Sequence, residues 1–288
     1  MSSEKLIIFD YSGTLSRDAA LFAAPDDLMK HLSESGLKDF GIDSPAIFWE
    51  EIVNPTWTEG SLTSSGYKKV LEERLRTILY QNMSIICCVR ISDAVSFFVD
   101  SYFNHSRIDH RWEAVLRKLN AHPSITTIIA TDHYAEATGY IIKFLRDFRI
   151  QAVAANEAFS RPIESSFIIA NSAELGVHKA DPRFWEILKS RLDMWGIRRI
   201  LIVDDFGYNE QKGDIYAERQ QVDARRDKTI RMLESAFSAE IQVIPFMIEG
   251  GDLSQDDIYG NLITSATAIV EQYMASPGGC GLLPLRKG

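Results

Sequence analysis

The sequence predicts an α/β fold: a Rossmann-like, doubly wound parallel sheet forms the core, and an α-helical domain is inserted into it. Short apolar runs that end in polar or acidic residues recur along the chain, and each has the length of a buried strand. Segments with helical periodicity separate these runs, as in right-handed βαβ crossovers. One long interval contains almost only helix-like stretches, which indicates the insertion.

The strands and helices of the core follow in chain order. The predicted strands are 6–10, 126–132, 151–157, 166–172, 199–205 and 241–246. The helix-like segments of the core are 112–120, 135–148, 181–195, 225–237 and 261–275, and a loose tail follows the last of them.

The inserted domain is predicted to span residues 17–109, with the core made of residues 1–16 and 110–288. Its helix-like stretches are 26–36, 64–80 and 92–103, and only the brief run SIICCV (84–89) resembles a strand. The two connections to the core are expected near 16–20 and 105–109.

Composition narrows the function classes. The chain has 288 residues, of which 45% are hydrophobic and 25% charged, so we expect a globular protein with a sizeable core. A net charge of −9 argues against a nucleic-acid partner, whereas a small anionic substrate needs only one local cationic pocket.

The sequence shows no signal-peptide pattern after its first residues and no apolar run of about 20 residues, so we expect a cytoplasmic protein with no membrane segment. Cys87, Cys88 and Cys280 lack metal-type spacing and are interpreted as structural thiols.

Polar residues that end the predicted strands are the first candidates for a site, because ligands of parallel α/β sheets bind beyond the carboxyl ends of the strands. A cation, Lys179, follows the fourth strand, ahead of the helix start Asp181-Pro182. The strand-end residues are Asp10, Thr131, Ser172, Asp204 and Asp205.

Clustered carboxylates repel one another unless a hard cation holds them, and Mg²⁺ prefers oxygen ligands. With Mg²⁺ as cofactor, Asp10 would attack phosphorus and form an aspartyl intermediate. Lys179 and Thr131 would stabilise the charge on the transferred group.

Four segments resemble, in order, the four motifs of the haloacid dehalogenase superfamily. They are LIIFDYSGTL, IIATD, SAELGVHKADPRF and RILIVDDFGYNE, which together extend from residue 6 to residue 210. The segment PTWTEGSLTSSGYKKVL is similar to the helical cap of the subclass that places its cap after the first motif. The resemblance implies a Rossmann-like core and a mobile cap that closes over the site and selects the substrate.

The resemblance also implies roles for individual residues. Gly13 would permit the tight turn after the nucleophile, and Thr14 would help orient the carboxylate of the nucleophile. The residues that would contact the substrate are Gly13, Thr131, Asp132 and Lys179. The implied metal-binding set is Asp10, the main-chain carbonyl of Ser12 and Asp205, supported by Asp204 and Glu210.

Ser12 departs from the pattern of the family phosphatases, which carry there a second Asp that serves as general acid and base. A serine hydroxyl cannot do this near neutral pH, and losing a general acid costs about 10²–10⁴-fold in rate. Either alkyl phosphates are poor substrates, or the leaving group needs no proton.

Relatives illustrate the second alternative. Phosphonoacetaldehyde hydrolases, which cleave a carbon–phosphorus bond, have a similar first motif but use a cap lysine. Lys68 and Lys69 lie in the predicted cap, but no motif there matches that lysine. Haloacid dehalogenases also lack the second Asp but work without metal, so the Asp204–Asp205 pair favours a Mg²⁺ enzyme. A catalytically weakened binding protein is the alternative of another class.

Two groups of residues have a structural interpretation beside the functional one. His133, with Asp132, is either a substitute acid or base or part of a helix start. The aromatic residues of the insertion either form its core or face the substrate; they are Phe48, Trp49, Trp57 and Tyr67.

Overall fold

A computed structural model describes residues 3–79, 85–160, 167–249 and 254–277. Its six strands form one parallel sheet in the order β3-β4-β2-β1-β5-β6, which confirms the predicted fold class and the six strand positions. The strands are β1 (Lys5–Phe9), β2 (Ile125–Thr131), β3 (Ala152–Ala154), β4 (Phe167–Asn171), β5 (Arg199–Asp204) and β6 (Glu240–Pro245).

The chain between β1 and β2 is helical. Its helices are α1 (Arg17–Leu21), α2 (Pro25–Ser35), α3 (Pro45–Ile47), α4 (Asn54–Leu62), α5 (Tyr67–Leu79) and α6 (Ile85–His105), with a π-helical segment (Phe48–Val53) joining α3 to α4. No strand lies in the described part of 17–109. The strand-like interpretation of SIICCV is wrong, because residues 85–89 belong to α6; a short apolar run does not distinguish a strand from a buried helix.

The remaining helices cover the two faces of the sheet. They are α7 (Glu113–Asn120), α8 (Glu136–Asp147), α9 (Ala155–Ala158), α10 (Ser172–Leu175), α11 (Pro182–Arg191), α12 (Arg219–Phe237) and α13 (Gln255–Ala275). Alternate residues of β1 point to opposite faces of the sheet. Ile7 and Phe9 pack with α7, α8 and α13 on one face. Leu6 and Ile8 pack with α11 and α12 on the other. This alternation produces the doubly wound core.

The two connections between the sheet and the inserted helices run side by side. The Asp109 N–H donates to the Leu15 carbonyl at 3.0 Å, and Ser16 caps α1 by accepting from the Ala19 N–H at 3.1 Å. The first connection is therefore shorter than predicted, because α1 begins at Arg17. That the inserted helices form a separate domain with the boundaries 17 and 109, and that it moves as a cap, stay predictions.

None of the helices in the described ranges is both long and apolar enough to cross a bilayer. The prediction for Cys87, Cys88 and Cys280 concerns side chains outside the described residues, and the predicted tail beyond residue 277 lies outside them too.

Candidate active site

Asp10 lies directly after the central strand β1. Its N–H donates to the Val203 carbonyl of β5 at 2.9 Å, which continues the ladder and fixes the backbone at this point. The residue is only 6% exposed, and it lines a cavity between the carboxyl edge of the sheet and the inserted helices. The carboxylate is thus presented to the interior of the protein.

Lys179 joins two of the candidate carboxylates. Its Nζ lies 2.5 Å from Asp10 Oδ1 and 2.9 Å from Asp204 Oδ2, and all three side chains are buried. Burial alone would lower the pKa of Lys179, but Asp10 and Asp204 outweigh it and raise that pKa well above its usual range. The ammonium group is therefore charged. The backbone of Lys179 is held separately, by a hydrogen bond from Trp185 Nε1–H to the Lys179 carbonyl at 2.8 Å.

Asp10, Asp204 and Asp205 form an acidic cluster whose ligand oxygens lie within 4.8 Å of one another. Burial, with the charge of Asp204 next, raises the pKa of Asp205 to about 8. One lysine does not balance three carboxylates, and all the donors are hard oxygens. The cluster therefore fits Mg²⁺ on the chemistry of its donors.

The turn after Asp10 orients Asp205. Thr14 Oγ1 accepts from the Asp205 N–H at 3.1 Å and donates to Asp205 Oδ1 at 3.4 Å. The Thr14 carbonyl in turn accepts from Tyr259 at 2.8 Å and from Trp112 at 3.3 Å. Gly13 has a φ of +74°, and a Cβ there would lie 2.7 Å from Asp205 Oδ2.

Replacing Gly13 by Ala is expected to damage both stability and metal binding. Gly36→Ala is the matched control, because Gly36 has a φ of +81° but no other residue within 4 Å of the place that a Cβ would occupy. The free energy of unfolding of the control should fall by only about 1–2 kcal/mol, which is the cost of placing alanine in the left-handed backbone region. Gly13→Ala should lose more, because Asp205 must also move. Urea denaturation and Mg²⁺ titration measure the two effects; equal losses in both variants would contradict this role of Gly13.

Asn209 is a supporting residue to which the sequence assigns no role. Its N–H donates to Asp205 Oδ2 at 2.8 Å, and its amide nitrogen donates to the carbonyls of Gly13 and Phe246 at 2.9 and 2.7 Å. Its Oδ1 accepts from the Ile248 N–H at 2.8 Å. Asn209 therefore ties together the loops after β1, β5 and β6, and its place inside the fourth motif is the only sequence signal for it.

Ser12 and Glu210 pair with each other beside the cluster. The Ser12 hydroxyl hydrogen-bonds to Glu210 and lowers its pKa, but desolvation and Asp214 dominate and raise it to about 7. Both residues line the cavity, although Glu210 lies outside the group of three carboxylates close enough to share one ion. The Ser12 hydroxyl thus contacts the carboxyl group of Glu210.

Thr131 and Asp132 also line the cavity. Helix α8 begins five residues later without a side-chain cap, so Thr131 is not its N-cap. Asp132 accepts from the Lys179 N–H at 2.9 Å and from the Tyr216 hydroxyl at 3.1 Å, so it positions the lysine loop. Strand-end Ser172 instead bonds to the Ser61 carbonyl at 2.6 Å and is absent from the described lining.

His133 is engaged at both ring nitrogens. Nδ1 accepts from the Tyr134 N–H at 2.8 Å, and Nε2 lies 2.8 Å from the Tyr102 hydroxyl. Burial lowers the pKa of His133 to about 4. The ring is therefore neutral at pH 7, which disfavours the interpretation of His133 as a substitute acid.

The cavity has a volume of about 90 Å³, and its other side is formed by the inserted helices. All four aromatic residues singled out in the insertion line it, while Phe48, Trp49 and Tyr67 are also buried in the core. Lys179 is the single lysine among its described lining residues; Lys68 instead bonds to Asp100 at 2.8 Å. Among the described lining residues, the inserted helices therefore supply no lysine that could form a Schiff base.

No protein-family model matches the chain, and no curated protein is significantly similar in sequence. Two solved structures are similar in fold. A 2-haloacid dehalogenase from Pseudomonas syringae pv. Tomato DC3000 is 16% identical, with 74% of this chain and 83% of that chain covered and a TM-score of 0.45. A hydrolase from Pseudomonas syringae is 14% identical, with 85% and 94% covered and a TM-score of 0.34. At such identities, function has to be inferred from the site itself.

Proposed function

We propose that the protein is a Mg²⁺-dependent hydrolase of the haloacid dehalogenase type, a phosphatase or phosphotransferase that acts on a small phosphorylated metabolite through an aspartyl intermediate. The observation that carries the proposal is the buried Asp10–Asp204–Asp205 cluster, bridged by Lys179 and facing a cavity. A buried cluster of this kind costs stability, and substrate and metal binding give a physical reason for it.

Asp10, Asp205 and the Ser12 carbonyl would hold the metal, with Asp204 and Glu210 in support. When bound, Mg²⁺ supplies positive charge that offsets the repulsion between the phosphate and the carboxylates. An Asp10 oxygen attacks phosphorus, the bond to the leaving oxygen breaks, and that oxygen takes the electron pair. Water then hydrolyses the aspartyl phosphate and regenerates Asp10.

Two other residues stabilise the negative charge on the transferred phosphoryl group. Lys179, held charged by Asp10 and Asp204, faces the phosphoryl oxygens, and Thr131 at the end of β2 donates a hydrogen bond to one of them. Asp132 keeps the Lys179 backbone in place through the bond at 2.9 Å. The chain thereby offers a nucleophile and charge stabilisation, but no carboxylic acid at position 12.

Haloacid hydrolysis is the second candidate, favoured by the apolar lining of the cavity on the side of the inserted helices. There, Asp10 would displace halide from carbon, and no proton would be needed. The acidic pair Asp204–Asp205 has no evident purpose in that reaction. A catalytically weakened binding protein agrees least well with the site, because binding alone does not require a buried lysine and three buried carboxylates.

Wild-type protein is expected to prefer aryl phosphates over alkyl phosphates, because an aryl oxide leaves without protonation. Ser12→Asp should raise turnover of alkyl phosphates by about 10²-fold, within the range for a general acid. Since the Ser12 hydroxyl bonds to Glu210, the new carboxylate would meet another one, so Ser12→Asp is best combined with Glu210→Gln.

The measurement is release of phosphate from phenyl and glycerol phosphate, and of halide from a 2-haloacid, by wild type, both single variants and the double variant. Glu210→Gln alone is the matched control. Halide release without phosphate release would replace the proposal by the dehalogenase reaction. Rapid hydrolysis of glycerol phosphate by the wild type, with no gain in the double variant, would show that another group supplies the acid.

A further inference from the structure

The described residues on the side of the cavity that the inserted helices form carry no charge. Ten residues of the insertion line the described cavity, and their only polar side-chain atoms are tyrosine hydroxyls and indole nitrogens. On the opposite side, Lys179 is the single cation of the described lining, and it already contacts two carboxylates.

The hydrogen bond between the Tyr102 hydroxyl and His133 has a defined donor and acceptor. The Tyr134 N–H donates to His133 Nδ1, so that nitrogen carries no proton and the neutral ring is protonated on Nε2. The Nε2–H therefore donates to Tyr102 Oη, 2.8 Å away. Tyr102 is the acceptor in this bond, so its own O–H proton can be donated elsewhere, to Ser106 beside it or to a group in the cavity that it lines.

We propose that the site takes a substrate with one anionic group and a flat, uncharged body, and that the body carries a hydrogen-bond acceptor recognised by the Tyr102 hydroxyl. This inference rests on the site of the proposed function and names the substrate class for it. Tyr102 is a specificity-determining residue, and His133 positions it.

The uncharged side discriminates between ligand bodies for three physical reasons. Aromatic walls stack with flat rings. A polyhydroxylated body would lose its hydrogen bonds to water without regaining them from this side of the cavity, so each unpaired hydroxyl would weaken binding. A second anionic group would be desolvated with no cation on this side of the described lining to receive it.

Binding of paired ligands with the same anionic group tests the substrate class. Titration calorimetry in the Asp10→Asn variant, with Mg²⁺ present, compares 1-naphthyl phosphate with glucose 6-phosphate, and 1-naphthylacetate with gluconate. We expect the naphthyl ligand of each pair to bind at least about tenfold more tightly, which corresponds to one or two unpaired hydroxyls in the sugar ligand.

Sugar ligands that bind as tightly as the naphthyl ligands would overturn the inference, whatever reaction the wild type catalyses. Tight naphthyl binding without phosphate release by the wild type would support the substrate class and contradict the proposed function. The two failures are therefore distinguishable.

The role of Tyr102 is tested with two ligands of similar shape, 4-acetylphenyl phosphate and 4-isopropylphenyl phosphate, of which only the first carries an acceptor. The acetyl ligand should bind about fivefold more tightly, the value of one net hydrogen bond of about 1 kcal/mol. Tyr102→Phe should abolish this preference while retaining affinity for the isopropyl ligand. Tyr140→Phe, which removes a hydroxyl 3.4 Å from Asp100 outside the described lining, is the matched control and should keep the preference. An unchanged preference in Tyr102→Phe would contradict the assignment.

Discussion

Asp10→Asn is expected to abolish turnover, by at least about 10³-fold, because an amide cannot attack phosphorus to form the aspartyl intermediate. The variant should fold, since asparagine has the shape of aspartate and removes one of three buried acids. Burial raises the pKa of Asp10 well above its usual range, with Lys179 opposing it, so folding disfavours the charged form of this carboxyl group. Removing that charge should leave stability at pH 7 unchanged or higher.

Steady-state phosphate release and acid quenching followed by mass spectrometry measure this effect. Wild type should trap a phosphoryl group on the peptide that contains Asp10, and the variant should not. Asp147→Asn, at an exposed carboxylate of α8, is the control and should retain full activity. A trapped phosphoryl group in the Asp10→Asn variant would assign the nucleophile to another residue.

Removal of Mg²⁺ is expected to have the second large effect, with loss of turnover and of stability. A ligand present at 100 times its Kd stabilises the folded state by about 2.7 kcal/mol, so saturating Mg²⁺ should raise the Tm measurably and a chelator should reverse the shift. Asp205→Asn removes one expected ligand and should reduce the shift strongly. Turnover that survives chelation would exclude the metal from the reaction and favour the dehalogenase chemistry.

The size of the Mg²⁺ effect should depend on pH. The pKa of Asp205 is raised from 3.8 to about 8 without metal, so between these values the folded protein holds a proton that the unfolded chain releases. Stability of the metal-free protein should therefore fall as pH rises through this window. Because Mg²⁺ needs deprotonated ligands, its shift in Tm should be larger at pH 8 than at pH 5. A shift equal at both values would contradict the position of Asp205 in the site.

Local sequence patterns determined most of the core. Apolar runs of strand length define the positions of β1, β2, β4, β5 and β6, because burial on both faces of a parallel sheet demands continuous apolar residues. The pattern is less decisive where burial is weaker or the run is short. Strand β3 covers only Ala152–Ala154 of a longer predicted run, and residues 85–89 of the run SIICCV belong to α6 because their apolar side chains suit either conformation.

The candidate cluster was also predictable by residue, because parallel strands end at one edge and their terminal side chains meet there. Sequence alone indicated that Asp10, Lys179, Asp204 and Asp205 lie together. Only the tertiary structure decided how these residues are paired, with Lys179 between Asp10 and Asp204 and with Thr14 and Asn209 holding Asp205. Such pairings depend on the paths of loops after different strands, which leave no periodic signal.

On the side of the cavity that faces away from the sheet, the sequence indicated four aromatic residues but not Tyr102 or its contact with His133. Tyr102 comes from α6 and His133 from the loop after β2, 31 residues apart, and their contact fixes a proton direction that neither residue has alone. Tyr216 reaches Asp132 over a still longer separation. The direction of a hydrogen bond and the charge of a cavity wall depend on side chains that packing brings together. The sequence therefore determined which reactive groups this protein has, and the tertiary structure decided how those groups are paired and oriented.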